Sequence, residues 1–438
     1  METNRRKFIQ AAGGAAAFLT AAQYSRVLGA NERVNAGVIG VRGRGRSHID
    51  AYAENPGANV AAVCDIDQAA NERAATQAAK AQEGQRPKEY KDMREMFDDK
   101  EIDIVSIATP NYWHALATVW ACQAGKDVYV EKPASHNIWE GRKMVEAARK
   151  YERMVQVGQQ SRSTPHKIEG IQRLKEGVIG DLYMAKGLCF KRRKTIGSAA
   201  PEPVPPGVDY DLWLGPAWPR PWKENRFHYN WHWYWDFGNG DIGNQGVHEM
   251  DVARWGVGLD LPDNAFSDGG KFVYDDDQQT PNTQIAVFRY PNVELQFEVR
   301  GLITGGESDL LAKTGNRDNV VGDIFWGSDG YMTMAGNGYW TYLGEQREPG
   351  PSAEASEDAT YLHVDNFLSA VRSRNYKDLN CDIEAGHLSA VLCHMANISY
   401  RVGDKLKFDP TTERFDSDEA NEFLKRDYRP PFVVPEQV

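Results

Sequence analysis

Cysteine is scarce in this chain of 438 residues, and long apolar runs and an excess of basic charge are missing altogether. The five cysteines (Cys64, Cys122, Cys189, Cys381 and Cys393) are widely spaced with no CxxC pair. That argues against a zinc knuckle or redox dithiol and leaves them as small core residues, with no metal site expected. No stretch of 18 consecutive apolar residues occurs, so no integral membrane span is expected. Acidic side chains number 62 against 51 basic ones, and the formal charge of -11 repels phosphate backbones. A nucleic-acid partner is therefore not expected, and a small neutral molecule fits better.

What is present describes a globular protein of two domains. Single cores stop growing at roughly 250 to 300 residues, and 41% hydrophobic with 26% charged side chains is ordinary for packed domains. The first 30 residues stand apart. Arg5-Arg6-Lys7-Phe8-Ile9 is a twin-arginine motif followed by the short apolar stretch Ala11 to Ala22, a pattern that predicts export of the folded protein to a periplasmic or other extracytoplasmic compartment.

From Val34 to Val157, short β-rich runs alternate with helical periods, which predicts a doubly wound parallel sheet. After Gly180 the rhythm changes to strands joined by hairpins and long loops (Leu182 to Phe190, Gln284 to Tyr290, Val293 to Val299, Gly330 to Ala335). The expected fold is α/β: a dinucleotide-binding domain over residues 31–160, then an α+β domain over 161–438 with a large, mostly antiparallel sheet and C-terminal helices able to pack back on the first domain. Lys191 to Gly207 and Glu345 to Ala359 read as loops or lids.

The chemistry begins at Gly37-Val38-Ile39-Gly40-Val41-Arg42-Gly43-Arg44-Gly45, between a strand and a helix. Glycines there let the backbone approach a pyrophosphate at a helix N-terminus, so Gly40, Arg42, Gly43, Arg44 and Gly45 are candidate nucleotide contacts. Asp65 ends the next strand, 25 residues after Gly40. A carboxylate there accepts ribose hydroxyls and disfavours a 2′-phosphate, which selects NAD. Arg42 stands where the second glycine of the fingerprint would be, and its cation also admits NADP.

Further on, Glu131-Lys132-Pro133 closes the strand Asp127 to Val130, and Thr109-Pro110-Asn111 with His114 lies upstream. Ligands of such sheets bind beyond the strand ends. With Asn244-Gln245-Gly246-Val247-His248-Glu249-Met250-Asp251 as a third motif, nearly all of Val34 to Pro410 resembles the Gfo/Idh/MocA family, the relatives of glucose-fructose oxidoreductase and inositol dehydrogenase. The resemblance implies a Rossmann domain, a nicotinamide cofactor contacted also by Thr109, Pro110, Asn111, His114 and Glu131, and a reacting carbinol flanked by Lys132 and His248. An imidazole suits removal of the hydroxyl proton, and an ammonium steadies the alkoxide. Asn244 replaces the family's aspartate; on a helix it would stand one turn below His248. Asp241 is either the charge partner of that imidazole or a helix N-cap.

Phe227 to Asp236 is unusually aromatic. Trp231, Trp233 and Trp235, with Trp113 near the nicotinamide-side loop, are candidates for stacking on a sugar or polyol; an aromatic core or oligomer surface is the other reading. The expected activity is hydride transfer between NAD and a secondary alcohol of a carbohydrate. A glycosidase working through transient oxidation and elimination is the first alternative, and a non-catalytic sugar-binding scaffold the second. A homo-oligomer is expected on family analogy.

Overall fold

The computed structural model describes residues 33–303 and 319–438. The twin-arginine segment lies outside the described residues.

Six parallel strands form the first sheet in the order β3-β2-β1-β4-β5-β6: β1 Val34–Ile39, β2 Ala58–Cys64, β3 Lys88–Tyr90, β4 Ile104–Ile107, β5 Asp127–Val130 and β6 Val155–Val157. Strands β4, β5 and β6 are buried along their whole length, as expected when helices cover both faces. The principal helices of this domain are α1 Gly43–Glu54, α2 Gln68–Ala81, α3 His114–Gln123 and α4 Ile138–Lys150. Asp67 caps α2 by accepting from Ala69 and Ala70, and Asn137 caps α4 by accepting from Glu140. The strand order reverses between β1 and β4, so the crevice for a ligand opens at their carboxyl ends.

The second sheet has ten strands in the order β14-β13-β12-β11-β7-β10-β9-β8-β15-β16, with β8 Asn264–Gly270, β9 Thr283–Arg289, β11 Asn319–Gly327, β12 Gly330–Ala335, β13 Gly338–Leu343, β14 Glu348–Glu354, β15 Leu406–Asp409 and β16 Arg414–Phe415. Only β7 Leu182–Lys191 and β10 Glu294–Arg300 pair in parallel; every other neighbouring pair is antiparallel. The burial of β10 alternates residue by residue, because helices α5 Val247–Val257 and α7 Ile383–Val402 cover one face only. The outer face carries the Lys186–Glu298 pair and a small apolar cluster of Leu188, Phe190, Val320, Ile324 and Ala335.

One feature departs from the sequence reading. Glu345 to Ala359 is not a loop throughout: β14 Glu348–Glu354 pairs with β13 Gly338–Leu343 despite Pro349 and Pro351. As the terminal strand it leaves one edge unpaired, and proline is tolerated there. Helix α6 Ala359–Ser373 packs back on the first domain. Its Val364, Phe367 and Leu368 enter the core formed by β1, α1 and β2, and Asp365 accepts from the Asn55 amide at 2.9 Å.

Candidate active site

A cleft opens beyond the carboxyl ends of β1, β2, β4 and β5, and residues of both domains line it. Its floor is the glycine turn. Gly40 has φ +79, and a Cβ there would lie 2.7 Å from the Ala108 carbonyl, so only glycine lets β1 and β4 end this close together. Gly45 does not face the cleft; a Cβ on it would meet the Gly40 carbonyl oxygen at 2.1 Å, so it serves close packing of α1 on the turn. Gly43 lines the cleft, and a Cβ on it would meet nothing within 4 Å, which leaves the backbone open to a phosphate. Arg42 also borders the cleft, with its guanidinium 3.7 Å from Asp67. These residues fit a dinucleotide.

Asp65 is in place at the end of β2. Its carboxylate accepts from Val41 N at 2.9 Å and Asp67 N at 3.0 Å, and burial pushes its pKa up to about 6. Glu131 borders the cleft. It accepts from Arg44 at 2.9 Å and from the Gln160 amide at 3.0 Å, and it meets His48 at 3.0 Å. Burial alone would raise this carboxyl, yet Arg44 and His48 hold it well below the usual carboxylate range. Oε1 thereby fixes Arg44 beside the glycine turn, while Oε2 accepts from Lys132 N at 3.2 Å. Arg44 itself reaches the cleft and also touches Thr360 of α6 at 3.1 Å.

Thr109 and Pro110 line the cleft, whereas Asn111 and His114 are not among its lining residues. Asn111 is buried and donates to Asn239 at 2.5 Å. The ring of His114 sits between the carbonyls of Pro133 (2.8 Å) and Thr109 (2.9 Å), tying the Thr109 loop to the turn after Lys132. Both residues support the site from behind.

Lys132 enters the cleft from the end of β5, and its ammonium donates to the backbone carbonyl of Asn244. Burial lowers its pKa, with Glu131 working in the opposite direction. Residues Ile242–Gly246 form a π-helical turn ahead of α5, and this changes the expected geometry. With a wider turn, Asn244 is not placed one α-helical turn below His248. Its amide instead approaches Asp241 at 3.3 Å and Tyr229 at 3.4 Å. Asp241 makes no capping bond and is not the partner of His248; Arg193 grips both its oxygens at 2.6 and 3.0 Å. The actual partner of His248 is Gln159, whose Oε1 lies 2.9 Å from Nδ1. Gln159 points its amide nitrogen at the Val247 carbonyl, so its oxygen faces the imidazole and holds it as the Nδ1–H tautomer, with Nε2 as acceptor. Burial, then Lys132, keeps His248 well below the usual histidine range, hence neutral.

Of the four tryptophans singled out in the sequence, Trp113 and Trp231 line the cleft. Trp113 is wedged against Gly215, where a Cβ would come within 2.1 Å of its ring. Trp233 is buried under the Arg193 guanidinium, and Trp235 packs against Tyr400 and Arg401, so neither faces the cleft. The aromatic segment is thus part wall and part core. His232, which the sequence reading passed over, lines the cleft stacked on Trp231. Its Nδ1 faces the Tyr229 carbonyl at 2.5 Å, and burial, then Lys132, push its pKa down to about 3.

A family model described as oxidoreductase family, NAD-binding Rossmann fold, matches residues 34–159, and its companion for the C-terminal alpha/beta domain matches 187–299 and 353–434. Among curated proteins, the chain is 30% identical over 155 residues to glycosyl hydrolase family 109 protein 1 of Shewanella sp. (strain ANA-3), and 28% identical over 155 residues to an alpha-N-acetylgalactosaminidase of Shewanella oneidensis. Each match covers 34% of this chain and 34% of the relative, so the chain spans about a third of their length. Among solved structures, the WlbA dehydrogenase of Bordetella pertussis, in complex with NADH and UDP-GlcNAcA, superposes with a TM-score of 0.64 at 18% identity, over 86% of this chain and 99% of that one. The aldose-aldose oxidoreductase of Caulobacter crescentus gives 0.65 at 16% identity, over 86% and 100%. At these identities the structures speak for the fold. With both its domains matched in order, the chain belongs to the Gfo/Idh/MocA oxidoreductase family, its first domain an NAD-binding Rossmann fold.

Proposed function

We propose that this oxidoreductase moves hydride between NAD and a secondary alcohol of a sugar or polyol. The observation that carries the reading is Lys132, which stands at the end of β5 in the cleft that joins the glycine turn to the aromatic wall. NAD supplies the hydride acceptor. The chain supplies the rest. His248 is not itself among the residues lining the cleft; in this reading its Nε2, kept unprotonated by Gln159, takes the hydroxyl proton, and the ammonium of Lys132 stabilises the alkoxide. Trp113 and Trp231 offer apolar faces to a sugar ring, while Asn244 and Nε2 of His232 are placed to meet its other hydroxyls. Against a non-catalytic scaffold stand the open approach at Gly43 and the retention of both Lys132 and His248.

Asp65 bears on the choice of nucleotide. Its carboxyl ionises at about 6, so above that pH its negative charge opposes a 2′-phosphate and below it the opposition fades. The ratio of NADPH to NADH dissociation constants is expected to fall between pH 8 and pH 5; an unchanged ratio removes Asp65 from the selection.

The names of the curated relatives favour a second reading, in which a glycoside is transiently oxidised, loses its aglycone by elimination and is reduced again. The twin-arginine motif supports action outside the cytoplasm, and family analogy supports self-association. Native mass spectrometry of the purified protein, followed by incubation with methyl and nitrophenyl hexosides, tests the activity. Bound nucleotide with a keto-sugar product is expected. Release of the aglycone with no net oxidation replaces the first reading by the second, and absence of nucleotide under all conditions refutes both.

A further inference from the structure

The long segment after β7 crosses from the second domain back onto the first, and its landing point bears on how a nucleotide leaves. We infer that residues 204–214 roof the adenosine half of the dinucleotide site, which makes the nucleotide a resident group retained between turnovers. The inference rests on the dinucleotide reading above and adds to it a set of residues and a kinetic consequence.

The contacts are made by backbone, directly beside Asp65. Asp67 and Val208 form an antiparallel bridge, Asp209 N donates to the Ile66 carbonyl at 2.9 Å, and Gln68 N donates to the Gly207 carbonyl at 3.0 Å. Lys91 adds an ion pair to Asp209 at 3.0 Å. Beyond this bridge, Asp209 caps the short helix Tyr210–Leu214 by accepting from Leu212 N. That helix presents Leu212 and Trp213 to the same cleft that Ile66 and Met93 line from the first domain.

Four apolar side chains beside a carboxylate make a slot suited to a flat base next to a ribose. The roof is also braced. Trp213 stacks on Tyr210 with ring centres 5.4 Å apart, and its carbonyl accepts the Trp113 indole N–H at 3.2 Å. In a doubly wound sheet the adenosine end lies at the edge beside β2, where nothing in the sheet itself closes it. Here a second-domain segment is hydrogen-bonded across that edge, so departure of the nucleotide requires those bonds to open. A resident nucleotide has to be returned to its starting redox state within each cycle: the hydride and proton taken from one alcohol are given back to the same or a second carbonyl compound.

The experiment is the release of bound NADH, followed by its fluorescence during a chase with excess NAD, in the full-length protein and two variants. Gln68→Pro removes the N–H that reaches Gly207 at the first position of α2. Proline is accepted at that position, and Asp67 before it is already extended. Asp209→Asn keeps the cap but loses the ion pair to Lys91. Release from the wild-type protein is expected to take minutes or longer, and at least about tenfold less time in each variant, with thermal unfolding unchanged. Wild-type release within a second, or equal rates in a folded variant, overturns the roof while leaving the dinucleotide reading intact. Failure of every protein to bind NADH overturns both.

Discussion

Replacing Lys132 by alanine is expected to lower kcat by about 10²- to 10³-fold while bound NADH remains, the loss typical of removing one donor aimed at a developing oxyanion. The size follows from how little else can take its place. Lys132 is held on the Asn244 carbonyl. Its neighbour Arg44 is committed to Glu131 and Thr360, and Arg193 to Asp241. These two cations are therefore held away from the alkoxide. Steady-state rates together with fluorescence of the bound nucleotide separate the two effects; a variant with wild-type kcat would take Lys132 out of the chemistry.

A comparably large effect is expected from Gly45→Ala, here on nucleotide affinity and stability together. The new methyl group would press on the Gly40 carbonyl oxygen at 2.1 Å and its carbon at 3.0 Å, both backbone atoms. Relief requires the start of α1 to move away from the turn. Overpacking of this kind costs about 1–3 kcal/mol, and displacement of the helix N-terminus is expected to weaken NADH binding at least about tenfold. Gly43→Ala is the control. Its Cβ meets no protein atom within 4 Å, and the positive φ of +30 is the main penalty for alanine there, about 1 kcal/mol, so affinity should fall with a smaller loss of stability than in Gly45→Ala. Equal stability losses in the two variants would show that Gly45 is not a packing glycine.

Local signals in the sequence carried the first sheet, the glycine turn, Asp65 and the placement of Lys132, because each depends on neighbours within one βα unit. The residues that were missed depend on distant partners. Gln159 supports His248 from 89 positions away, and Arg193 grips Asp241 from 48 positions away. The π turn at Ile242–Gly246 leaves no mark in residue pattern, since it inserts no unusual residue while shifting Asn244 relative to His248. His232 was overlooked among tryptophans because aromatic spacing alone does not say which ring faces a cavity. Strand β14 was hidden by its prolines, which are harmless at a sheet edge.

The packing of α6 carries a consequence for how the molecule is made. Val364, Phe367 and Leu368 fill the core of a domain whose other strands and helices end near residue 157. A ribosome that has released only the first 160 residues has therefore emitted an incomplete hydrophobic interior. The nucleotide site can settle only after the nascent chain is nearly finished, and an excised N-terminal fragment is expected to stay open and prone to aggregation until that distant helix is supplied.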